Sequence, residues 1–187
     1  MKIPVGVSNR HLHISKDDMK ILFGSNELTK FKDLNQPGQY AAAEKVELVG
    51  PKGKISGARV LGPFRGKTQV EVSRTDAMKL GINPPVRDSG DLAGSVGITI
   101  VGPQGQVELT EGVIIAHRHI HIPSDLVQEH GLKNKEMVAV RAEGERGLVY
   151  EQVLVRVSDK FSLQFHVDID EANAALLNSG EFVTLVR

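Results

Sequence analysis

The chain has 187 residues, with 23 basic against 23 acidic side chains, no cysteine, and aromatic residues at only 4%. This balance, with no long single-sign run, leaves no electrostatic footprint for nucleic acid or an anionic membrane, and no stretch approaches the roughly 18 apolar residues of a membrane span. Without cysteine there are no disulfides, thiolate metal knuckles or protein thiol nucleophile, so the composition points to a cytoplasmic protein with one core or two small ones.

Short β-branched runs alternate with glycine and proline punctuation, which predicts strands with tight turns. The first strand covers 3–7 and is followed by Arg10-His11-Leu12-His13-Ile14. Ser15-Lys16-Asp17-Asp18 then reads as a capping box opening a helix over 16–23 that stops at Gly24. Strands over 45–49 and 54–61 are joined by Gly50-Pro51-Lys52-Gly53, and a strand over 68–73 runs into a helix over 75–80. Strands over 97–101 and 107–109 are joined by the similar turn Gly102-Pro103-Gln104-Gly105, with a further strand over 112–116. A second pentapeptide, Arg118-His119-Ile120-His121-Ile122, precedes a helix over 124–130 opened by Pro123-Ser124-Asp125. Strands over 137–141, 148–157 and 162–167, a helix over 170–178 and a strand over 182–186 complete the chain. Many short strands with few helices predict a mainly β fold of small barrels with short flanking helices.

The repeated pentapeptide is the most informative feature. Residues i and i+2 of a strand face one side, so each copy aims two imidazoles one way and two aliphatics (Leu12 and Ile14, or Ile120 and Ile122) into a core. Each copy is followed by a capped helix with a glycine stop, so the unit is internally duplicated. The duplication continues at an offset of 95, where residues 68–77 align with 163–172 and Glu71 falls opposite His166. Alone, His166 would pass for a hydrogen-bonded core histidine and Glu71 for a solvated strand carboxylate. As a matched pair, each completes a three-ligand set, His11, His13 and Glu71 or His119, His121 and His166, of the kind found in open catalytic zinc sites. His117 reads as a histidine behind the ligands or in solvent, and His130 as a helix C-terminal residue.

Ser8-Asn9-Arg10-His11-Leu12-His13, Gly62-Pro63-Phe64-Arg65, Gln69 to Ser73, Arg118 to His121 and His166 to Ala174 resemble the propanediol-utilisation type of phosphate acyltransferase, a bacterial microcompartment family. The resemblance runs over nearly the whole chain. It implies two β-barrels, 9–116 and 1–8 plus 117–187, with a metal site at their interface. It implies two zinc ions per chain, one on His11, His13 and Glu71 and one on His119, His121 and His166. It also implies phosphate at Arg65 and coenzyme A at Val7, Ser8, Asn9, Lys52, Arg59 and Asn173, with Arg65, Glu71 and His166 as the catalytic set. The expected substrates are coenzyme A, acyl phosphate and inorganic phosphate, and a homodimer is expected. Met1 stands only seven residues before Ser8, which leaves no room for a microcompartment-targeting helix and favours cytoplasmic work.

The expected reaction exchanges propanoyl or acetyl groups between coenzyme A and phosphate. Coordination would lower the pKa of the coenzyme A thiol, and with no cysteine in the chain the thiolate would attack the acyl phosphate directly. The Arg65 guanidinium is a planar fork suited to phosphate oxygens, whereas its bland reading is a surface arginine. Arg87 is a second anion-binding candidate, and Lys52 and Arg59, outside the resemblance, are ordinary strand-end charges. A dizinc hydrolase is the alternative function and a cupin-like metal-binding module a third. Against the hydrolase, the chain is short for an amidohydrolase barrel of about 250 residues. Against the cupin, no glutamate follows the first His-x-His within a few residues.

Overall fold

The computed structural model describes residues 1–186; residue 187, the end of the expected second barrel, lies outside the described residues. The chain divides into two compact units, Arg10–Ala116 and Met1–Asn9 with the residues from His117 onward. It opens with β1 (Lys2–Ser8), which belongs to the second of these.

The unit 10–116 holds β2 (His11–His13), α1 (Lys16–Phe23), β3 (Lys30–Asp33), β4 (Tyr40–Val49), β5 (Lys54–Gly62), β6 (Gln69–Glu71), α2 (Arg74–Leu80), β7 (Val86–Arg87), β8 (Val96–Val101) and β9 (Gln106–Ala116). Its pairings close a ring of six strands, β4–β5–β2–β6–β9–β8 and back to β4, with β3 and β7 attached outside. A closed ring leaves no free edge among its members. The core is lined by Leu12, Ile14, Leu48, Val60, Val70 and Ile100, each with no exposed surface. Burying a side chain of this size contributes about 1.5–3 kcal/mol.

The other unit adds β10 (His119–Ile122), α3 (Ser124–Glu129), β11 (Met137–Ala142), β12 (Leu148–Val157), β13 (Gln164–Asp168), α4 (Ile169–Ala175) and β14 (Phe182–Val186) to β1. Its ring is β1–β13–β10–β12–β11–β14, closed by β14 on β1. The two rings match strand for strand. In each, the His-x-His strand lies parallel to one neighbour (β5 or β12) and antiparallel to the other (β6 or β13), and β6 and β13 run parallel to β9 and β1. The strand before each His-x-His therefore belongs to the opposite unit from the motif it precedes.

Local chemistry explains the connections. Ser73 and Asp168, equivalent positions, cap α2 and α4 by accepting from the backbone N–H of Asp76 and Glu171. In α4 the capping box is complete, since Glu171 returns a bond from the Asp168 N–H. The capping box expected at α1 forms only in half: Ser15 accepts from the Asp18 N–H, but the Asp18 carboxylate takes the Thr68 hydroxyl instead. The turns at Gly50 and Gly102 dock on helix ends, where the N–H groups of Lys52 and Gln104 donate to the carbonyls of Leu80 and Leu22. A Cβ at either glycine would collide with that same helix carbonyl, which accounts for the shared turn chemistry.

Some elements differ from the sequence expectation. Strand β3 is exposed along its whole length and β7 is two exposed residues, so neither carries the buried face that periodicity detects. Strand β9 runs unbroken through Gly112, and β4 begins at Tyr40, taking in an Ala-rich stretch of good helix formers. Helix α4 ends at Ala175 with Leu176 in the left-handed region, short of the expected stop. Among the described residues no helix is long and apolar enough to cross a membrane.

Candidate metal centre

Both His-x-His strands do what the two-residue period requires. Leu12, Ile14, Ile120 and Ile122 are fully buried in the barrel cores, and the imidazoles point to the other face. That face is itself largely dry: His13 is 4% exposed and His121 6%. The third ligand candidates stand directly across the antiparallel pairing, Glu71 opposite His11 and His166 opposite His119.

The resulting clusters could each hold a metal ion: in His11, His13 and Glu71, and again in His119, His121 and His166, one ligand atom from each residue lies within 4.8 Å of the others. In the first, Nε2 of His11 is 3.3 Å and Nε2 of His13 is 3.8 Å from the Glu71 carboxylate. In the second, the three ring centroids are 4.6 to 4.9 Å apart.

Protonation states suit ligation. Burial, with the positive charges of His11 and Arg65, lowers His13 to about 3 against the opposing pull of Glu71. Burial, with His119, His166 and Arg156, lowers His121 to about 2. Both rings are therefore neutral and carry a lone pair at neutral pH. For Glu71, burial pushes upward, but the charge and hydrogen bond of His11, with His13 and Arg65, outweigh it and hold the carboxyl well below the usual carboxylate range. The His117 carbonyl can only accept, so His119 must donate to it from Nδ1, at 2.8 Å, which leaves Nε2 as the lone-pair nitrogen. Nδ1 of His121 is buried, makes no hydrogen bond among the described residues, and lies in a ring stacked on Phe161. A buried ring nitrogen without a hydrogen-bond partner costs free energy, which an ion bound at its lone pair would recover. Three nitrogen and oxygen donors per cluster fit a divalent metal with an open position.

Arg65 belongs with the first cluster. Its backbone N–H donates to the Ile14 carbonyl, just beyond the His-x-His, and its guanidinium donates to Ser89 Oγ at 2.9 Å. Ser89 in turn donates to Glu71 Oε1 at 3.2 Å, and Gln69 donates from Nε2 to the same oxygen at 2.6 Å. Sequence reasoning missed Ser89 and Gln69. Ser89 sits in a loop with no periodic signal, but Gln69 was legible in the duplication, since it faces His13 as Gln164 faces His121.

The remaining candidates are spread through both units. Arg59 pairs with His11 in register, donates to the Ala42 carbonyl and lies 4.8 Å over the exposed Phe31 ring. Lys52 sits in the turn against α2. Val7 and Ser8 end β1 opposite Val167 and Asp168, Asn9 follows them, and Asn173 lies in α4. Arg87 reaches toward Asp91 at 3.8 Å on the surface and joins neither cluster. His117 donates from Nε2 to the Gln152 carbonyl, and its own carbonyl holds His119, so it serves the site through its backbone. His130 caps the end of α3.

Residues 4–178 match the family described as phosphate propanoyltransferase. A phosphate propanoyltransferase of Thermotoga maritima is 57% identical over 99% of this chain and 89% of its own length. Proteins of the same description from Priestia megaterium and Rhodopseudomonas palustris are 53% and 49% identical, covering 96% and 100% of this chain and 83% of each relative. With the duplicated barrels and paired ligand clusters already in view, these matches establish that the chain belongs to the phosphate propanoyltransferase family.

Proposed function

We propose that this chain interconverts acyl-CoA plus phosphate with acyl phosphate plus coenzyme A, acting on propanoyl or acetyl groups. The observation that carries the reading is Arg65 tied through Ser89 to Glu71, which sets an anion-binding guanidinium beside a three-donor cluster. Family membership supports the acyl-transfer class, and nothing in it supports the hydrolase alternative.

The residues divide the work. Arg65 would bind phosphate oxygens with its fixed fork and offset the charge that gathers on the departing phosphate. His11, His13 and Glu71 would hold one zinc ion, and His119, His121 and His166 another. When bound, zinc supplies a Lewis acid that favours the thiolate form of a coenzyme A thiol at neutral pH. Coenzyme A contacts are proposed at Val7, Ser8, Asn9, Lys52, Arg59 and Asn173. The chain has no cysteine to carry an acyl group. That excludes a cysteinyl thioester and favours direct transfer, in which the coenzyme A sulfur bonds to the acyl carbon as the bond from that carbon to the phosphate oxygen breaks.

A coupled assay with acetyl, propanoyl and butanoyl phosphates tests this. Acyl-CoA formation is expected; phosphate release without coenzyme A would favour hydrolysis, and no turnover of any of them would refute the reading.

A further inference from the structure

Gln69 is 1% exposed, and its side-chain amide has no unused capacity. Its Oε1 accepts from the Gly90 backbone N–H at 2.8 Å and from Arg65 at 3.4 Å. A backbone N–H can only donate, so the amide orientation is fixed and Nε2 must face the other way. There Nε2 donates to Glu71 Oε1 at 2.6 Å and to Ser89 Oγ at 2.8 Å. Ser89 is equally saturated: its hydroxyl accepts from Gln69 and Arg65 and donates its one hydrogen to the same Glu71 oxygen.

One carboxylate oxygen of Glu71, Oε1, thus receives a short hydrogen bond at 2.6 Å and a longer one at 3.2 Å and lies 3.8 Å from Nε2 of His13, while Oε2 faces His11 at 3.3 Å. A carboxylate left alone can swing to offer both oxygens to a cation, which would fill the open position. An oxygen already taken by an amide and a hydroxyl is a poor ligand. We propose that Gln69 is a positioning residue that holds Glu71 as a one-oxygen ligand, so that the cluster with His11 and His13 keeps a coordination position for substrate. The inference rests on the metal-dependent reading above. It is particular to this cluster, because the ligand at the equivalent position in the other unit is His166, which has no second oxygen to restrain.

Cobalt(II) binding to metal-stripped protein tests it without any turnover. Wild type is expected to take up about two cobalt ions per chain. Gln69→Leu is expected to shift the visible spectrum at one of the two sites toward a higher coordination number, as the freed carboxylate adds its second oxygen, with affinity at that site by chelator competition changed by roughly 10-fold or more. Gln69→Glu keeps the side-chain size and the acceptor toward Gly90 but turns the donor facing Glu71 into a second acceptor. It carries the same expectation if the leucine variant does not fold. Wild-type affinity and spectrum at both sites would overturn the inference, as would an equal loss at both, the mark of a merely structural role. A wild type that binds no cobalt would instead overturn the metal reading on which the inference stands.

Discussion

Arg10 donates from Nε to both carboxylate oxygens of Asp76 at 3.0 Å, and the duplication repeats the pair in the other unit, where Arg118, before the second His-x-His, meets Glu171, 95 residues after Asp76, at 2.7 Å. Each arginine stands immediately before a His-x-His, and each acid lies in the first turn of the helix that follows the third-ligand strand. The pair therefore ties together the two chain segments that must meet for a three-residue cluster to form. Asp76 is 5% exposed, so Arg10→Ala strips the partner from a buried carboxylate. Because the Arg10 side chain is itself a third exposed, the cost is at the lower end for such pairs, about 2 kcal/mol. Urea unfolding of Arg10→Ala, Asp76→Asn and the double variant should give a coupling of about 1 kcal/mol. Strict additivity would show that the two side chains do not act together.

The duplication makes a second, quieter prediction. Gly57 in β5 has φ 81°, and its equivalent in β12, Gln152, has φ 53°, so the same left-handed residue recurs where both ladders shift register. A non-glycine residue there costs about 1 kcal/mol, and glycine's greater freedom in the unfolded chain offsets part of any gain from removing it. Gly57→Ala should lower stability by about 1 kcal/mol, and Gln152→Gly should raise it by about 0.5 kcal/mol. Thermal melts of the two variants decide it; destabilisation by Gln152→Gly would mean that its side chain contributes more than its backbone costs.

The grouping of these candidate ligands was legible in the sequence because a strand's two-residue period leaves few readings for His11-Leu12-His13 flanked by core aliphatics, and because the repeat paired Glu71 with His166. The ring closures were not. That β9 pairs with β6, and β1 with β13, is a matter of long-range register, which local periodicity does not encode. Ser89 was silent for a different reason: it acts from a loop, through a single hydroxyl, on residues whose strand the sequence did reveal. Gly112 looked like a strand break because glycine commonly punctuates, yet here its N–H donates to Ser95 and the strand continues.

Acid sensitivity of the metal-free protein follows from the lowered histidines. His13 at about 3 and His121 at about 2 lie below the ordinary value of about 6.5, so at intermediate pH the unfolded chain binds more protons than the folded one. Their contribution to stability is present above pH about 6.5 and is lost as pH falls toward 3, by up to about 1.4 kcal/mol per pH unit for each ring. Chelator-treated protein should melt at progressively lower temperature from pH 6.5 to 4, and His121→Leu should flatten that slope. A midpoint independent of pH across this window would mean that neither ring is held neutral by its surroundings.

The proposed anion site at Arg65 gives the most direct kinetic test. Arg65 is held by its own backbone bond to Ile14 and by Ser89, and its charge acts on Glu71 and His13, so it is fixed beside the cluster without ligating it. Removing it should therefore leave metal content unchanged. The loss should fall on phosphate and acyl phosphate, where one charge-assisted contact of about 1.5–3 kcal/mol corresponds to roughly a 10–100-fold rise in KM for Arg65→Ala. Arg65→Lys should recover only part of this, because a single ammonium cannot hold Ser89 and two phosphate oxygens at once. Steady-state kinetics in both directions, with metal analysis on the same preparations, separate the outcomes. Unchanged phosphate kinetics in Arg65→Ala would remove this residue from the anion site, whereas a loss of metal alongside activity would make it a support for Glu71 in place of a contact to substrate.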